Sequence, residues 1–390
     1  MNTSKSIIEI KGEYTTKEIA QQPKMWKKTF DVINSHRNEI ERFFENFSDK
    51  DADFILTGAG TSAFIGNAVY GVRLKHQQKQ SRVVPNTELI THPEFYLLPN
   101  KTTVLVSFAR SGNSPESMAA VEVVDNFCLE SYHIIITCDE NGELYKNTNH
   151  ENALRILLPP ETNDVSLAMT SSFSSMMLAF ILITKIDQLV LEKKKIEELA
   201  NWGNIVLSKY ERLIADIATI DFKRAVFLGT GPLKGTAEES HLKLQELTDG
   251  KVICAFNSFL GFRHGPRAIV DDATLLVYLF SDDQNSRNYE YDLVRQINQT
   301  KKGIAQIAIS HKPVSIDGMT FDLNVCFGEE HGSEVEIEYL CIAEILLAQL
   351  LGYHKSLDLG LNPDNPSLSG TISRVVEGVK IYKTKFQEDV

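Results

Sequence analysis

Short apolar runs alternate along the chain with longer stretches that have the three-to-four-residue period of a helix. In DFILTGAGTSAFIGNAVYGVRL an apolar strand leads through a glycine turn into a helix with small residues. TTVLVSFARSGNSPESMAAVEVV and YHIIITCDENGEL repeat this order further along. Such alternation is typical of a parallel sheet that is covered by helices on both faces.

The same pattern occurs a second time. RAVFLGTGPLKGTAEESHLKLQEL repeats the first segment at a distance of 171 residues, counted from Gly58 to Gly229. We therefore predict two α/β domains of flavodoxin-like, three-layer α/β/α type, each built around a parallel sheet. The predicted ranges are a helical segment over 1–50, a first domain over 51–215 and a second domain over 216–390, which ends in an extended tail.

Composition narrows the classes of function. The net charge of −12 argues against nucleic acid as a partner, because binding a polyphosphate needs basic surface. The five cysteines form no CxxC pair, which indicates reduced, buried thiols. No signal-peptide pattern opens the sequence, and the longest apolar stretch, around MMLAFILITKI, is too short to cross a bilayer. We expect a cytoplasmic protein without membrane contact.

Three turns between strands and helices are rich in hydroxyl groups. Helix N-termini beyond the carboxyl ends of parallel strands bind anions, and hydroxyls, backbone N–H groups and a guanidinium together suit a phosphate. The candidate binding residues are Ser62 in GAGTSA, Arg110, Ser111 and Ser114 in SFARSGNSPES, and Thr170 and Ser171 in LAMTSSFSSMM.

Two alternative roles fit the same turns. Each Ser or Thr could simply cap its helix. GAGTSA also satisfies G-x-G-x-x-A, the dinucleotide fingerprint. The acidic residue that such a site requires would be Glu88, but Pro85 interrupts the preceding strand. Several hydroxyl-rich turns in one chain favour a sugar phosphate, with no cofactor.

A charged helix supplies candidate catalytic groups. Glu239, Lys243 and Glu246 follow one another at i, i+4 and i+7 and share one helix face. This face is either a solvated row of ion pairs or a carboxylate that a lysine holds towards a substrate. His264, in the polar turn GFRHGP, either caps a loop or takes part in catalysis. Neither His241 nor His264 has companions at metal-ligand spacing, so no metal is expected.

Taken together, these motifs resemble proteins with paired sugar-isomerase (SIS) domains, such as the isomerase half of glucosamine-6-phosphate synthase. From about residue 24 onwards the chain is more similar to the AgaS family, known as tagatose-6-phosphate ketose/aldose isomerase or galactosamine-6-phosphate deaminase. The motifs that carry the resemblance are GAGTSAFIG, RSGNSPES, SLAMTSSF, ES-x-LK-x-x-ELT-x-GK and GFRHGP.

The resemblance implies how the substrate is held. Ser62 would contact the sugar and Ser111 and Ser114 the phosphate, with Thr170 nearby. The synthase pattern has glutamine where this chain has Arg110, so charge would contribute more to phosphate binding here.

The resemblance also implies catalytic roles. Glu246, beside Lys243, would move a proton between C1 and C2. His264 would open the sugar ring from the other subunit, which implies a homodimer or higher homo-oligomer with shared active sites. We expect the apolar Phe259, Leu260 and Phe262 beside this histidine to contact the partner subunit.

Two further departures from the synthase pattern affect the expected reaction. The tail lysine of the synthase has no clear counterpart, since Thr371 occupies its place in an ungapped alignment. The ammonia-donating half is absent, so amidotransfer is not expected and release of ammonia is. The implied reaction converts a hexosamine 6-phosphate, galactosamine 6-phosphate, into tagatose 6-phosphate and ammonia. A simple aldose–ketose isomerase and a non-catalytic sugar-phosphate sensor remain alternatives. The sequence leaves open a galacto or gluco substrate and a dimer or tetramer.

Overall fold

Two parallel sheets form the framework of the protein. The computed structural model describes residues 11–148, 151–300, 303–328, 335–376 and 378–382. The first sheet contains β1 (Asp53–Thr57), β2 (Arg82–Val83), β3 (Thr102–Ala109), β4 (Glu130–Thr137) and β5 (Ala153–Leu157). The second contains β6 (Arg224–Leu228), β7 (Ile253–Asn257), β8 (Thr274–Leu279), β9 (Ala305–Ser310) and β10 (Leu323–Cys326).

Helices cover both sheets and connect them. Before and within the first sheet lie α1 (Glu13–Ala20), α2 (Gln22–Ser35), α3 (Arg37–Glu45), α4 (Thr61–Val69), α5 (Val72–Gln77), α6 (Asn86–Thr91), α7 (Pro115–Phe127) and α8 (Glu143–Asn147). After it come α9 (Ser171–Thr184), α10 (Leu189–Ile205), α11 (Glu211–Ala218), α12 (Pro232–Leu247), α13 (Phe259–Phe262), α14 (Gln284–Asn298) and α15 (Ile337–Asp358).

The two sheets have the same topology. Their strand orders are β2-β1-β3-β4-β5 and β7-β6-β8-β9-β10, and every adjacent pair is parallel. Numbered within each sheet, both orders are 2-1-3-4-5, the flavodoxin-like order. The predicted fold class, two three-layer α/β/α domains, is confirmed.

The strands of each sheet lie within the domain predicted for it. The predicted boundary at 215/216 falls inside α11 (Glu211–Ala218), which packs against α15. Residues 1–10 and 383–390 lie outside the described part of the chain. The division into 1–50, 51–215 and 216–390 therefore stays a prediction.

Two helices are buried almost all round. Every residue of α9, which contains most of the MMLAFILITKI run, is buried. α15 is long and apolar enough to cross a membrane by length and composition, but 83% of its most apolar window is buried inside the protein. Because it packs along α12 and also against α9, α15 is a core helix shared by the two halves of the chain.

The two halves meet where α4 crosses α12. A Cβ atom placed on Gly235 of α12 would lie 2.4 Å from the backbone nitrogen of Ala68 on α4. Asn67 Nδ2 donates to Glu238 Oε2 at 2.8 Å across the same contact. The absence of a side chain at residue 235 therefore sets how closely the first domain approaches α12.

We predict that Gly235→Ala destabilises the protein by about 1–3 kcal/mol, because the added methyl group must push two backbones apart. Alanine favours a helix by about 1 kcal/mol relative to glycine, which acts in the opposite direction. A net loss of stability therefore indicates the clash with α4. Urea unfolding measures the change. The matched control is Gly71→Ala, where a Cβ has nothing within 4 Å and φ is −77°. Equal stability of both variants would contradict the proposed role of Gly235.

Candidate active site

The strand order places the first candidate turns side by side. In a parallel sheet of order 2-1-3-4-5, the direction in which successive strands are added changes between the first and third strands, and ligands bind outside the carboxyl ends of these two strands. Ser62 lies in the first turn of α4, which follows β1, and the turn after β3 contains Ser111 and Ser114. The structure thus brings these three predicted residues to one edge of the first sheet.

The turn after β1 is shaped by two glycines. A Cβ on Gly58 would lie 2.6 Å from Ser62, and Gly60 has φ +54° and ψ −129°. Both positions therefore exclude larger residues, and α4 begins at Thr61 directly after the strand. Ser62, 7% exposed, lies in the first turn of this helix.

The turn after β3 uses its hydroxyls to begin α7. Ser114 Oγ accepts from the backbone N–H of Ser117 at 3.3 Å and lies 2.8 Å from its hydroxyl. Ser111 Oγ accepts from the N–H of Asn113 at 3.3 Å. Gly112 has φ +65°. Helix capping, the simpler role considered for Ser114, is thus present, and a hydroxyl that caps through one lone pair can still donate to a ligand.

Arg110 has contacts that differ from those expected. Its buried guanidinium donates from Nη1 to the carbonyls of Ser166 and Leu167, at 3.1 and 3.0 Å, and from Nη2 to the carbonyl of Arg374. Burial lowers the pKa of this group. These bonds tie the β3–α7 turn to the loop before α9 and to the C-terminal tail. The expectation that Arg110 holds phosphate by charge is therefore corrected to a structural role.

The third predicted phosphate turn already contains a carboxylate of the protein. Asp164 accepts from the backbone N–H groups of Thr170, Ser171 and Ser172, at 2.8, 3.1 and 2.9 Å. Ser171 Oγ donates to the carbonyl of Glu18 at 2.7 Å. Thr170 and Ser171 are fully buried. Because a second anion would be repelled by Asp164, the assignment of Thr170 and Ser171 as phosphate-binding residues is wrong.

The charged face of α12 is not a solvated row of ion pairs. Glu239 and Lys243 have side chains that are 0% and 1% exposed, whereas Glu246 is 23% exposed. Lys243 Nζ lies 2.5 Å from Glu246 Oε2 and 3.3 Å from Glu239 Oε1. A buried lysine therefore holds a carboxylate that reaches the surface.

Glu239 connects this cluster to the first domain. Thr61 Oγ1, at the start of α4, donates to Glu239 Oε1 at 3.2 Å. Burial raises the pKa of Glu239 to about 8, although the Lys243 ammonium acts in the opposite direction. For Lys243 burial lowers the pKa, but Glu239 and Glu246 raise it above its usual value. Glu239 thus links the turn after β1 to the lysine that holds Glu246.

His264 lies on the surface after α13. Its side chain is exposed, and within the described part of the chain its ring makes no hydrogen bond. Phe259 and Phe262 are 0% and 1% exposed and belong to the core of the second domain. The expectation that they contact a partner subunit is wrong, because their own domain covers them. Leu260 is 46% exposed, so for this residue the expected contact stays a prediction.

The fold and these clusters define a protein with paired sugar-isomerase domains, and the SIS domain family matches residues 47–185. D-galactosamine-6-phosphate deaminase AgaS of Escherichia coli is 38% identical over 374 residues, covering 95% of this chain and 96% of that protein. The protein of the same name from Shewanella sp. (strain ANA-3) is 37% identical, with 95% and 92% covered. The crystal structure of tagatose-6-phosphate ketose/aldose isomerase from Escherichia coli has a TM-score of 0.87 and 34% identity, covering 96% of this chain and 97% of that chain. The chain belongs to the AgaS family, which confirms the resemblance.

We predict that Asp164→Asn destabilises the protein by about 1–3 kcal/mol, because an amide nitrogen would face N–H donors that are buried. The matched control is Asp283→Asn at the start of α14, where the exposed carboxylate accepts from the N–H of Ser286 at 2.7 Å. Asparagine caps about as well as aspartate, so this control should lose less than about 1 kcal/mol. Thermal unfolding compares the two. Similar losses of stability in the two variants would show that Asp164 is an ordinary helix cap. The N-terminus of α9 would then again be a candidate ligand site.

Proposed function

We propose that the protein converts a hexosamine 6-phosphate, galactosamine 6-phosphate, and water into tagatose 6-phosphate and ammonia. The observation that carries the proposal is the Glu239–Lys243–Glu246 cluster beside the turn after β1. Its partly exposed carboxylate, Glu246, belongs to the helix whose Glu239 contacts Thr61 at the start of α4, which supports a site at this edge of the first sheet. Relatives that cover nearly the whole chain and bear the name galactosamine-6-phosphate deaminase support the substrate.

The substrate binds at the carboxyl ends of β1 and β3, where α4 and α7 begin. The hydroxyls of Ser111 and Ser114 and the N-terminus of α7 receive the phosphate. Ser62 contacts the sugar. Arg110 acts indirectly, by fixing the β3–α7 turn to the loop before α9.

The reaction needs two proton movements and one hydrolysis. His264 removes the proton from the C1 hydroxyl and delivers one to the ring oxygen, which opens the ring. Glu246 then takes the C2 proton of the open aldehyde while O1 gains a proton, which gives a cis-enolamine. It returns a proton to C1 while the amino nitrogen loses one. The resulting imine at C2 adds water and releases ammonia, leaving the ketose. Lys243, 2.5 Å from Glu246, orients the carboxylate.

The direct test is a coupled assay of ammonia release over a panel of galactosamine, glucosamine and mannosamine 6-phosphates, with tagatose 6-phosphate assayed for isomerisation. We expect ammonia from galactosamine 6-phosphate at the highest kcat/KM. Interconversion of sugar phosphates without ammonia would replace the proposal by a simple aldose–ketose isomerase. Binding without turnover would indicate a sensor.

For Glu246→Gln we predict a kcat lower by about 10²–10⁴-fold, the usual cost of removing a general base. Substrate binding should persist, because no phosphate donor is changed. The matched control is Glu238→Gln on the same helix, whose side chain faces Asn67 instead. It should stay within about threefold of the wild type. A Glu246→Gln enzyme as active as this control would exclude Glu246 as the proton shuttle.

We also propose that His264 works in the active site of the other subunit of a homodimer, since its ring is exposed and makes no hydrogen bond among the described residues. We predict that mixing inactive Glu246→Gln and His264→Ala subunits restores up to about a quarter of wild-type activity. Half of randomly mixed dimers are hybrids, and each hybrid has one intact site of two. Native mass spectrometry verifies the exchange of subunits. Exchange without recovered activity would show that each site is complete within one chain.

A cytoplasmic location is part of the proposal. The five cysteines are all free, and three of them are buried, as expected for a reducing compartment.

A further inference from the structure

A cavity of about 960 Å³ lies at the end of the first sheet opposite to the candidate active site. It is bounded by residues 50–54 at the start of β1, by residues 76–82 from the end of α5 to β2, and by Lys101 before β3. The lining also contains three acidic residues, Glu41, Glu45 and Asp187. These are the amino ends of the parallel strands, whereas Ser62 and Ser111 follow the carboxyl ends. The cavity is therefore separate from the proposed catalytic machinery.

Arg73 of α5 lines this cavity and is only 3% exposed. Its guanidinium lies 3.3 Å above the ring of Phe54. Nε donates to Gln77 Oε1 at 3.2 Å, and Nη1 donates to the carbonyl of Gln80 at 3.1 Å. Among the residues that the structure describes, no carboxylate pairs with it, and burial alone lowers its pKa to about 10.

Three other cations around the cavity are already paired with carboxylates. Arg82 pairs with Asp53 at 2.6 Å, and Lys101 pairs with Asp51 at 3.0 Å. Lys50 is likewise bound to a glutamate, at 2.6 Å. Arg73 differs from all three because it is the most buried and its partners are neutral.

A second polar group of the lining lacks a partner. The hydroxyl of Ser81 is buried and makes no hydrogen bond within the described residues. Lys79, exposed, adds a positive charge to the same lining. A buried guanidinium without an opposite charge and a buried hydroxyl without a hydrogen-bond partner both cost free energy, and an anion that enters the cavity would lower this cost.

We propose that this cavity binds a small phosphorylated molecule or free phosphate through the guanidinium of Arg73, with Ser81 and Lys79 as further donors. Arginine matches phosphate because two of its N–H groups can donate in parallel. The volume exceeds what inorganic phosphate needs and suits a phosphomonoester of metabolite size. The site is not part of the proposed reaction.

Isothermal titration of the full-length protein with inorganic phosphate and with glycerol 3-phosphate tests the proposal. For wild type we expect two anion sites in each chain, and for Arg73→Gln one site, with at least tenfold weaker binding at the cavity. Arg73→Lys should retain part of the affinity, and Arg42→Gln, which removes an exposed arginine outside the cavity, should retain all of it. Tighter binding of glycerol 3-phosphate identifies a phosphorylated metabolite as the ligand, and equal binding identifies free phosphate.

Crystals of the wild type soaked in tungstate, a phosphate analogue, test the site without any substitution. We expect an anomalous peak within hydrogen-bond distance of Arg73. Absence of this peak, or unchanged titrations in a folded Arg73→Gln variant, would overturn the proposal. Because ammonia release is measured separately, failure of this site leaves the proposed reaction untouched.

Discussion

The crossing of α4 and α12 is the contact on which the candidate site depends. Gly235 allows the two backbones to touch, and this closeness lets Thr61 reach Glu239 at 3.2 Å. Glu239 in turn contacts Lys243, and Lys243 holds Glu246. A chain of short contacts thus runs from the turn of one sheet to a carboxylate carried by a helix of the other domain. Separating the two helices would break the contact between Thr61 and Glu239. The position of Glu246 therefore depends on the packing between the two domains.

Burial decides which charged groups are available for chemistry. Asp164, although acidic, occupies the α9 N-terminus and satisfies its N–H groups, while Arg110 satisfies three carbonyls from other segments. The hydrogen bonds of both groups are therefore used within the protein. Glu246 is different because its partner Lys243 is buried beneath it while its own side chain remains partly exposed. A charged group that is held on one side and open on the other can meet a substrate, and the turns after β1 and β3 lie at the same edge as α12's first-domain contact.

The sequence predicts the fold well because strands that are buried on both faces are continuous apolar runs, such as TTVLVSFA and ATLLVYL. It does not single out α15, since a helix that is apolar all round has little helical periodicity. The face with Glu239, Lys243 and Glu246 is visible in the spacing, but its burial depends on α4 and α15. The error over Thr170 and Ser171 has a similar origin: their residue types suit a phosphate, and only the fold brings Asp164 to them. The sequence likewise suggests that Phe259 and Phe262 are exposed beside His264, and only the fold shows that their own domain covers them.

The central claim is that a carboxylate of α12 carries a proton between C2 and C1 of an amino-sugar phosphate. Turnover of galactosamine 6-phosphate in deuterated water, followed by NMR of the ketose phosphate, tests it most directly. A proton that passes through a carboxylate can exchange with solvent, so we expect carbon-bound deuterium at C1 of the product and nowhere else. Ketose that is formed with C1 wholly unlabelled, at a rate that Glu246→Gln leaves unchanged, would show that no carboxylate of α12 carries the proton.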